Sequence, residues 1–396
     1  MKNIKSTLSF VALAVTASLQ AQADVRINGF ANITAGMTTE DTDYFGVGED
    51  IDFSEGSLFA LQVSGDISDK VTATAQILAR GSEDYSAEFE WAYLSYAVDE
   101  NSVVTAGRFR LPVFRYSSSI DVGYSYHWIT APVTVYDVAF NNIDGIRYDY
   151  SNYTGDLEYV LQLSYGHYED EIGGGTNSGD NVVLASVEAN YHNFKGRLVW
   201  GRGNNVFEST GLDASFNSFL TSLASAVGGE DNIPDNIYAL IDDLQIDDDE
   251  GVFLGAGLEY DNFDWFVAGE WTRVELEDTF SPVDTAYYVT AGVRLGKWTP
   301  HLTYQARDGQ DDIKFQDRVA SLPVAFQDSA AALNTGLQSS FFEDYSIVTV
   351  GVRYDATTNL ALKGEVSRYD NKIEPIINSD DTIDTTVLNV SLNYVF

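Results

Sequence analysis

Apolar and polar residues alternate along most of this chain. Between Leu388 and Phe396 the apolar or aromatic positions are Leu388, Val390, Leu392, Tyr394 and Phe396, with Asn389, Ser391 and Asn393 between them. Side chains alternate faces along a strand, so the segment has one greasy face and one mostly wet one. In 143–152, Ile146, Tyr148 and Tyr150 oppose Arg147 and Asp149. In 69–80, Val71, Ala73, Ala75 and Ile77 oppose Thr72, Thr74, Gln76 and Arg80. In 298–307, Leu302, Tyr304 and Ala306 oppose His301, Thr303, Gln305 and Arg307. Read with the turn signals, this period of two predicts sixteen strands of about ten residues each. They cover 25–37, 55–66, 69–80, 87–98, 101–110, 143–152, 155–166, 181–192, 194–203, 251–261, 263–275, 282–295, 298–307, 344–355, 358–369 and 384–396.

The connections sharpen that prediction. Tight turns at Ile67-Ser68, Asp99-Glu100, Tyr153-Thr154, Asn193, Asn262, Gly296-Lys297 and Ala356-Thr357 close hairpins. Between them run the longer connections 38–54, 81–86, 111–142, 167–180, 204–250, 276–281, 308–343 and 370–383. Short and long alternate strictly, as in an up-and-down barrel with tight turns on one rim and long loops on the other. About ten residues is also what a tilted strand needs to cross a bilayer. No stretch approaches a run of about 18 apolar residues, so helical spans are excluded. The expected fold is an all-β, 16-stranded antiparallel transmembrane β-barrel with short periplasmic turns and long extracellular loops. Its apolar face meets lipid, its polar face lines the interior, and that interior is wide enough for water.

The first residues read as an export signal. Lys2 and Lys5 give the charged start, Leu8 to Leu19 the apolar stretch, and Ala21-Gln22-Ala23 the small-residue cleavage site. A signal peptide over 1–23 and one barrel domain over 24–396 follow. The chain has no cysteine, which removes disulfides and thiol or Cys-metal chemistry. Tyr and Phe number 24 and 22, enough for the aromatic girdles of a bilayer barrel. The formal charge is −38, which argues against nucleic acid and anionic surfaces as partners and favours cations at the surface.

Charge is unevenly placed. Loop 204–250 carries eleven acids and no Lys or Arg, ending in Asp247-Asp248-Asp249-Glu250, and loop 38–54 is also acidic throughout. We read these as solvated acidic loops, without a metal site or cofactor. Within 204–250, Leu212, Phe216, Phe219, Leu220, Leu223 and Val227 recur at helical spacing, and Ile237, Leu240, Ile241 and Leu244 repeat it after Pro234. Such a stripe needs a partner surface: the barrel mouth, the lumen or a neighbouring subunit. Basic residues concentrate in the strands. Arg80, Arg108, Arg110 and Arg147 are expected on neighbouring strands and facing the lumen, because a charge facing lipid at mid-membrane costs about 2–4 kcal/mol. Loop 111–142 follows directly and is rich in proline and aromatics: Leu111-Pro112-Val113-Phe114-Arg115-Tyr116, Tyr124 to Trp128, then Ala131-Pro132. The nearest surface it can pack on is the barrel interior.

At this point the chain resembles the Gram-negative outer-membrane porin family. The final strand, with Leu392, Tyr394 and terminal Phe396, is similar to the closing strand that carries that family's assembly signal. Gly107-Arg108-Phe109-Arg110-Leu111-Pro112 resembles a Gly-Arg-x-x-x-Pro segment of phosphate-selective-type porins. The family's acidic eyelet signature, Pro-Glu-Phe-Gly-Gly, has no counterpart here. The resemblance implies that loop 111–142 folds inward as a constriction, with Asp121 and Asp137 facing Arg80, Arg108, Arg110 and Arg147. It also implies a homotrimer in the outer membrane, with lipid, lipopolysaccharide and the barrel-assembly machinery as partners.

Three functions are open on sequence. One is a passive porin for small hydrophilic solutes and ions. A second is a substrate-selective channel for a sugar, aromatic or anion, in which Tyr116, Tyr124, Tyr126 and Trp128 form an aromatic slide. A third is a surface adhesin or receptor. An enzyme is not expected: His127, His167, His192 and His301 lie apart, with no nucleophile elbow or His-Glu-x-x-His pattern.

Overall fold

The computed structural model of the chain describes residues 25–41, 44–138, 140–172, 174–309, 312–372 and 384–396; the expected signal peptide lies outside them. Sixteen strands are present: β1 Val25–Thr38, β2 Leu58–Ser68, β3 Val71–Arg80, β4 Ala87–Ala97, β5 Ser102–Arg110, β6 Asn142–Thr154, β7 Leu157–Ile172, β8 Gly175–Tyr191, β9 Phe194–Glu208, β10 Asp247–Asp261, β11 Trp265–Leu276, β12 Asp284–Val293, β13 Trp298–Gly309, β14 Glu343–Asp355, β15 Leu360–Asn371 and β16 Thr385–Val395. Each pairs antiparallel with its sequence neighbours, and β1 pairs with β16 from Phe30↔Val395 to Thr38↔Val387. The barrel is closed, so no edge strand is left unpaired. At the seam the Phe396 N–H donates to the Gly29 carbonyl and the Gly29 N–H donates back, both at 2.9 Å.

Alternation sorts the faces as the pattern demands. Ile146, Tyr148, Leu302 and Tyr304 are exposed on the outer wall, while Thr74, Gln76, His301, Thr303 and Gln305 are buried inside. Trp265, Trp298, Phe194 and Phe263 stand exposed beside the tight turns, where a lipid headgroup layer accepts amphipathic rings.

Two expectations need correction. The strict alternation of short and long connections fails at 167–180. There β7 runs on to Ile172 and β8 begins at Gly175, so the hairpin extends as a projecting ribbon around Gly174, whose φ of +79° suits a glycine turn. Second, connection 308–343 holds helices, Gln316–Ser321 and Val324–Ser339. They pack with the helices Thr210–Val227 and Asp235–Asp243 of the 209–246 connection into one apolar cluster. That cluster contains Phe216, Leu223, Ile237, Leu240, Phe326 and Ala330, and it rests on Phe280 between β11 and β12. Asp243 and Arg318 clamp the two loops together at 2.9 Å. The partner surface of the helical stripe is therefore mainly another loop, and together they form a cap on the barrel rim.

Candidate functional site: a loop inside the barrel

Loop 111–142 leaves β5 and enters the barrel because its side chains cannot stay in water. Leu111, Val113, Phe114, Tyr126, Trp128 and Val135 are all buried, packed on Ile143, Leu184, Val199, Phe253 and Tyr288 of the inner wall. Burying a side chain of this size contributes about 1.5–3 kcal/mol. Tyr116 meets Tyr126 and Trp128 edge-on, each at 5.7 Å between ring centroids.

A buried loop backbone must find hydrogen-bond partners, and here the strands supply them. The Trp128 indole N–H donates to Thr303 Oγ1 on β13 at 2.8 Å. Of sixteen strands, β13 lies eight from β5, on the opposite wall. Lys363 on β15 donates to the carbonyls of Gly123 and Trp128. Arg353 on β14 donates to those of Tyr124 and Tyr126, both at 2.7 Å. Glu365 accepts the Ile129 N–H at 2.8 Å. On β11, Glu270 accepts the Arg115 N–H at 2.9 Å and the hydroxyls of Tyr136 and Tyr288. Arg115 pairs with Glu259 on β10, and Arg197 on β9 donates to the Pro112 carbonyl. Tyr124 donates to the Thr358 carbonyl at the β14–β15 turn, 2.9 Å away. The loop thus crosses the lumen and is tied to most of its circumference.

The expected charge cluster forms in part. Asp121, on the loop, accepts from Arg80 at 3.3 Å and Arg110 at 2.7 Å. Glu90 on β4 takes the other side, accepting from Arg80 at 2.7 Å, from Arg110, and from Asn142 at 2.8 Å. The β3–β4 ladder slips between Gln76 and Ile77, and this bulge turns Glu90 inward out of the regular pattern. Arg147 on β6 adjoins the cluster without joining its ion pairs: it donates to the Arg110 carbonyl at 3.5 Å, pairs with Asp149 at 2.9 Å and stacks 5.1 Å from the Phe109 ring centroid.

Arg108 does not face the lumen. Its ladder partner is Asp144, 3.2 Å away. Asp144 shares the outer face with exposed Ile146. The cost argument that placed Arg108 inside holds for a lone charge, and a carboxylate directly across the ladder relieves it. Asp137 also misses the cluster, standing exposed over a separate cavity on the loop's other side. Nor do Tyr126 and Trp128 line a slide, because loop packing buries their rings; Tyr116 is half-buried against them, and Tyr124 is half-buried under the Arg353 guanidinium, 4.7 Å from its ring centroid.

Lys363, Glu365 and Arg353 were not singled out from sequence, and Glu270 only as an interior acid that could pair with a wall arginine. Their signal was present as charges on the wet face of otherwise alternating strands. What alternation cannot give is the partner, since each binds loop atoms more than a hundred residues away.

No protein-family model matches the chain, and no curated protein matches it in sequence. Solved structures do. The anion-selective porin from Comamonas acidovorans superposes with a TM-score of 0.58 at 13% identity, over 95% of this chain and 100% of that one. The outer-membrane channel DcaP of Acinetobacter baumannii gives 0.57 at 12%, over 95% and 98%. A trimer form of OmpT, an outer membrane protein of Vibrio cholerae, gives 0.54 at 10%, over 95% and 100%. At these identities the likeness is one of fold: the chain has the closed sixteen-stranded barrel of outer-membrane porins.

Proposed function

We propose that the chain is an outer-membrane channel of the selective kind, narrowed by loop 111–142, rather than a wide general-diffusion pore or an enzyme. One observation carries this reading: the loop is hydrogen-bonded from β5 to β13, β14 and β15 across the lumen. Arg80, Arg110, Glu90 and Asp121 on one side and Arg147 with Asp149 beside them supply the wall charges that bias ion passage. The fold shared with an anion-selective porin and with DcaP supports a conducting role. We read Leu392, Tyr394 and Phe396 as the assembly signal, and the assembled form as a homotrimer. Planar-bilayer recording tests the channel directly. The folded chain should give small ohmic steps, and removal of residues 117–133 should raise the step size several-fold. Steps as large in the parent as in the deletion would sink the narrowed-channel reading.

A further inference from the structure

A cavity of about 830 Å³ lies between the inward loop and the helical cap. Leu111 and Phe140 of the loop form its base, Tyr168 and Phe253 its wall, and Phe280 and Phe341 its cover. It therefore opens between the two apolar clusters of the molecule, the one that seats the loop and the one that holds the cap together. Its volume falls in the range of small-molecule sites, and its ring-lined walls suit a flat apolar body.

The polar groups stand at one side. Arg307 pairs with Asp284 and, at 3.0 Å, with Glu343. Asp284 Oδ1 is buried without a hydrogen-bond partner. Asp137 faces the same space and, among the described residues, makes no ion pair. Arg202, on another wall, is turned to Glu250 at 3.3 Å. One guanidinium thus stands among three carboxylates and pairs with two of them, which leaves the exposed Asp137 carboxylate open to a donor. An anion would meet net negative charge, and a sugar would leave most of its hydroxyl groups facing rings that offer them no hydrogen bond. We propose that this cavity binds an amphiphilic organic cation, with its apolar body among Phe140, Phe253, Phe280 and Phe341 and its ammonium donating to Asp137, in the field of the neighbouring Asp284 and Glu343 carboxylates. The acidic surface concentrates such cations at the mouth. Occupancy of the cavity does not depend on whether solutes pass the loop, so this inference stands apart from the channel reading.

The test uses the full folded chain with two fluorescent probes. Monodansylcadaverine ends in an ammonium; dansyl-6-aminohexanoate, nearly its match in body, ends in a carboxylate. Detergent alone serves as the blank, and folding of every variant is checked by heat-modifiable migration. The cation should bind saturably, one per chain, and at least tenfold more tightly than the anion. Asp137→Asn should weaken the cation at least fivefold and narrow the gap between probes. Val138→Trp, which fills the base of the cavity, should abolish saturable binding of both. Equal affinity for the two probes, or full cation affinity in either folded variant, overturns the site. Binding without conductance would count against the channel alone, and conductance without binding against the site alone.

Discussion

Glu90 and Asp121 share two guanidiniums, and the sharing fixes where the loop begins its path. Arg110 is 7% exposed and Glu90 3%, so neither charge has water as an alternative partner. Removing one member of such a buried set strands the other and costs about 3–5 kcal/mol. Arg110→Ala should therefore lower the temperature of heat-modifiable unfolding clearly, whereas Arg26→Ala, at an exposed pair with Asp66, should shift it by a degree or two at most. A parent-like transition in Arg110→Ala would remove the cluster from the account of loop seating. His127 gives a pH dependence. Burial, then the neighbouring His301 ring and Lys363, hold its pKa well below the ordinary histidine value. In a released loop the imidazole titrates near about 6.5. The neutral seat against Thr290 is thus fully stabilising above that pH, and the contribution is lost as pH falls toward the depressed value. Loop accessibility to protease should rise between pH 7 and pH 5 in the parent and stay flatter in His127→Gln, which still reaches Thr290. Equal rises in both would assign the titration to another group.

The helical cap shows what each element needs from the others. Thr210–Val227 and Asp235–Asp243 have one apolar face each and no strand to lie on, so they are stable only against Val319, Leu322 and Phe326. Leu240, 1% exposed, lies in the shared core; Leu240→Ala should cost about 2–5 kcal/mol there. The loss is confined to the cap, so protease should cut near 228–234 in the variant while the barrel migrates unchanged. A barrel that unfolds together with the cap would refute that independence. The strands and the first two helices were legible because one period, two or 3.6, governs each of them. The second pair carries the same signal, with Val319, Leu322, Phe326, Ala330, Leu333 and Leu337 at steps of three and four, interrupted by Pro323. The inward turn of 111–142 could be read from its aromatics. Its docking partners could not, because Lys363 and Arg353 find carbonyl groups, which carry no sequence signature. Arg108 was misplaced for a related reason: its outward position depends on Asp144, and only the register of β5 against β6 brings them together.

At the scale of the whole barrel, that outward pair bears on assembly. The Arg108 and Asp144 side chains are 40% and 41% exposed on a wall otherwise surfaced by Ile146, Tyr148 and Leu94. Against lipid, even a neutralised pair forgoes hydrogen bonds that water or protein would supply, and a charge left alone at the bilayer midplane costs about 2–4 kcal/mol. Against a second copy of the barrel, the same groups have polar neighbours and shelter from hydrocarbon. The trimeric reading therefore predicts that this patch of β4, β5 and β6 lies at or beside the contact between copies. Arg108→Ala leaves Asp144 outward and unpaired, at the contact if the reading holds and in lipid if it does not. Native mass spectrometry from detergent should then show a trimer for the parent and a shift toward monomer for Arg108→Ala, with heat-modifiable barrels in both. The double variant Arg108→Leu with Asp144→Leu separates the two settings. On a lipid wall it should restore parent-like stability as a monomer or trimer alike, whereas at a contact it should leave assembly weakened although the barrel itself is sound. A trimer that persists through both changes would place the contact elsewhere on the wall, and a monomeric parent would refute the assembly altogether.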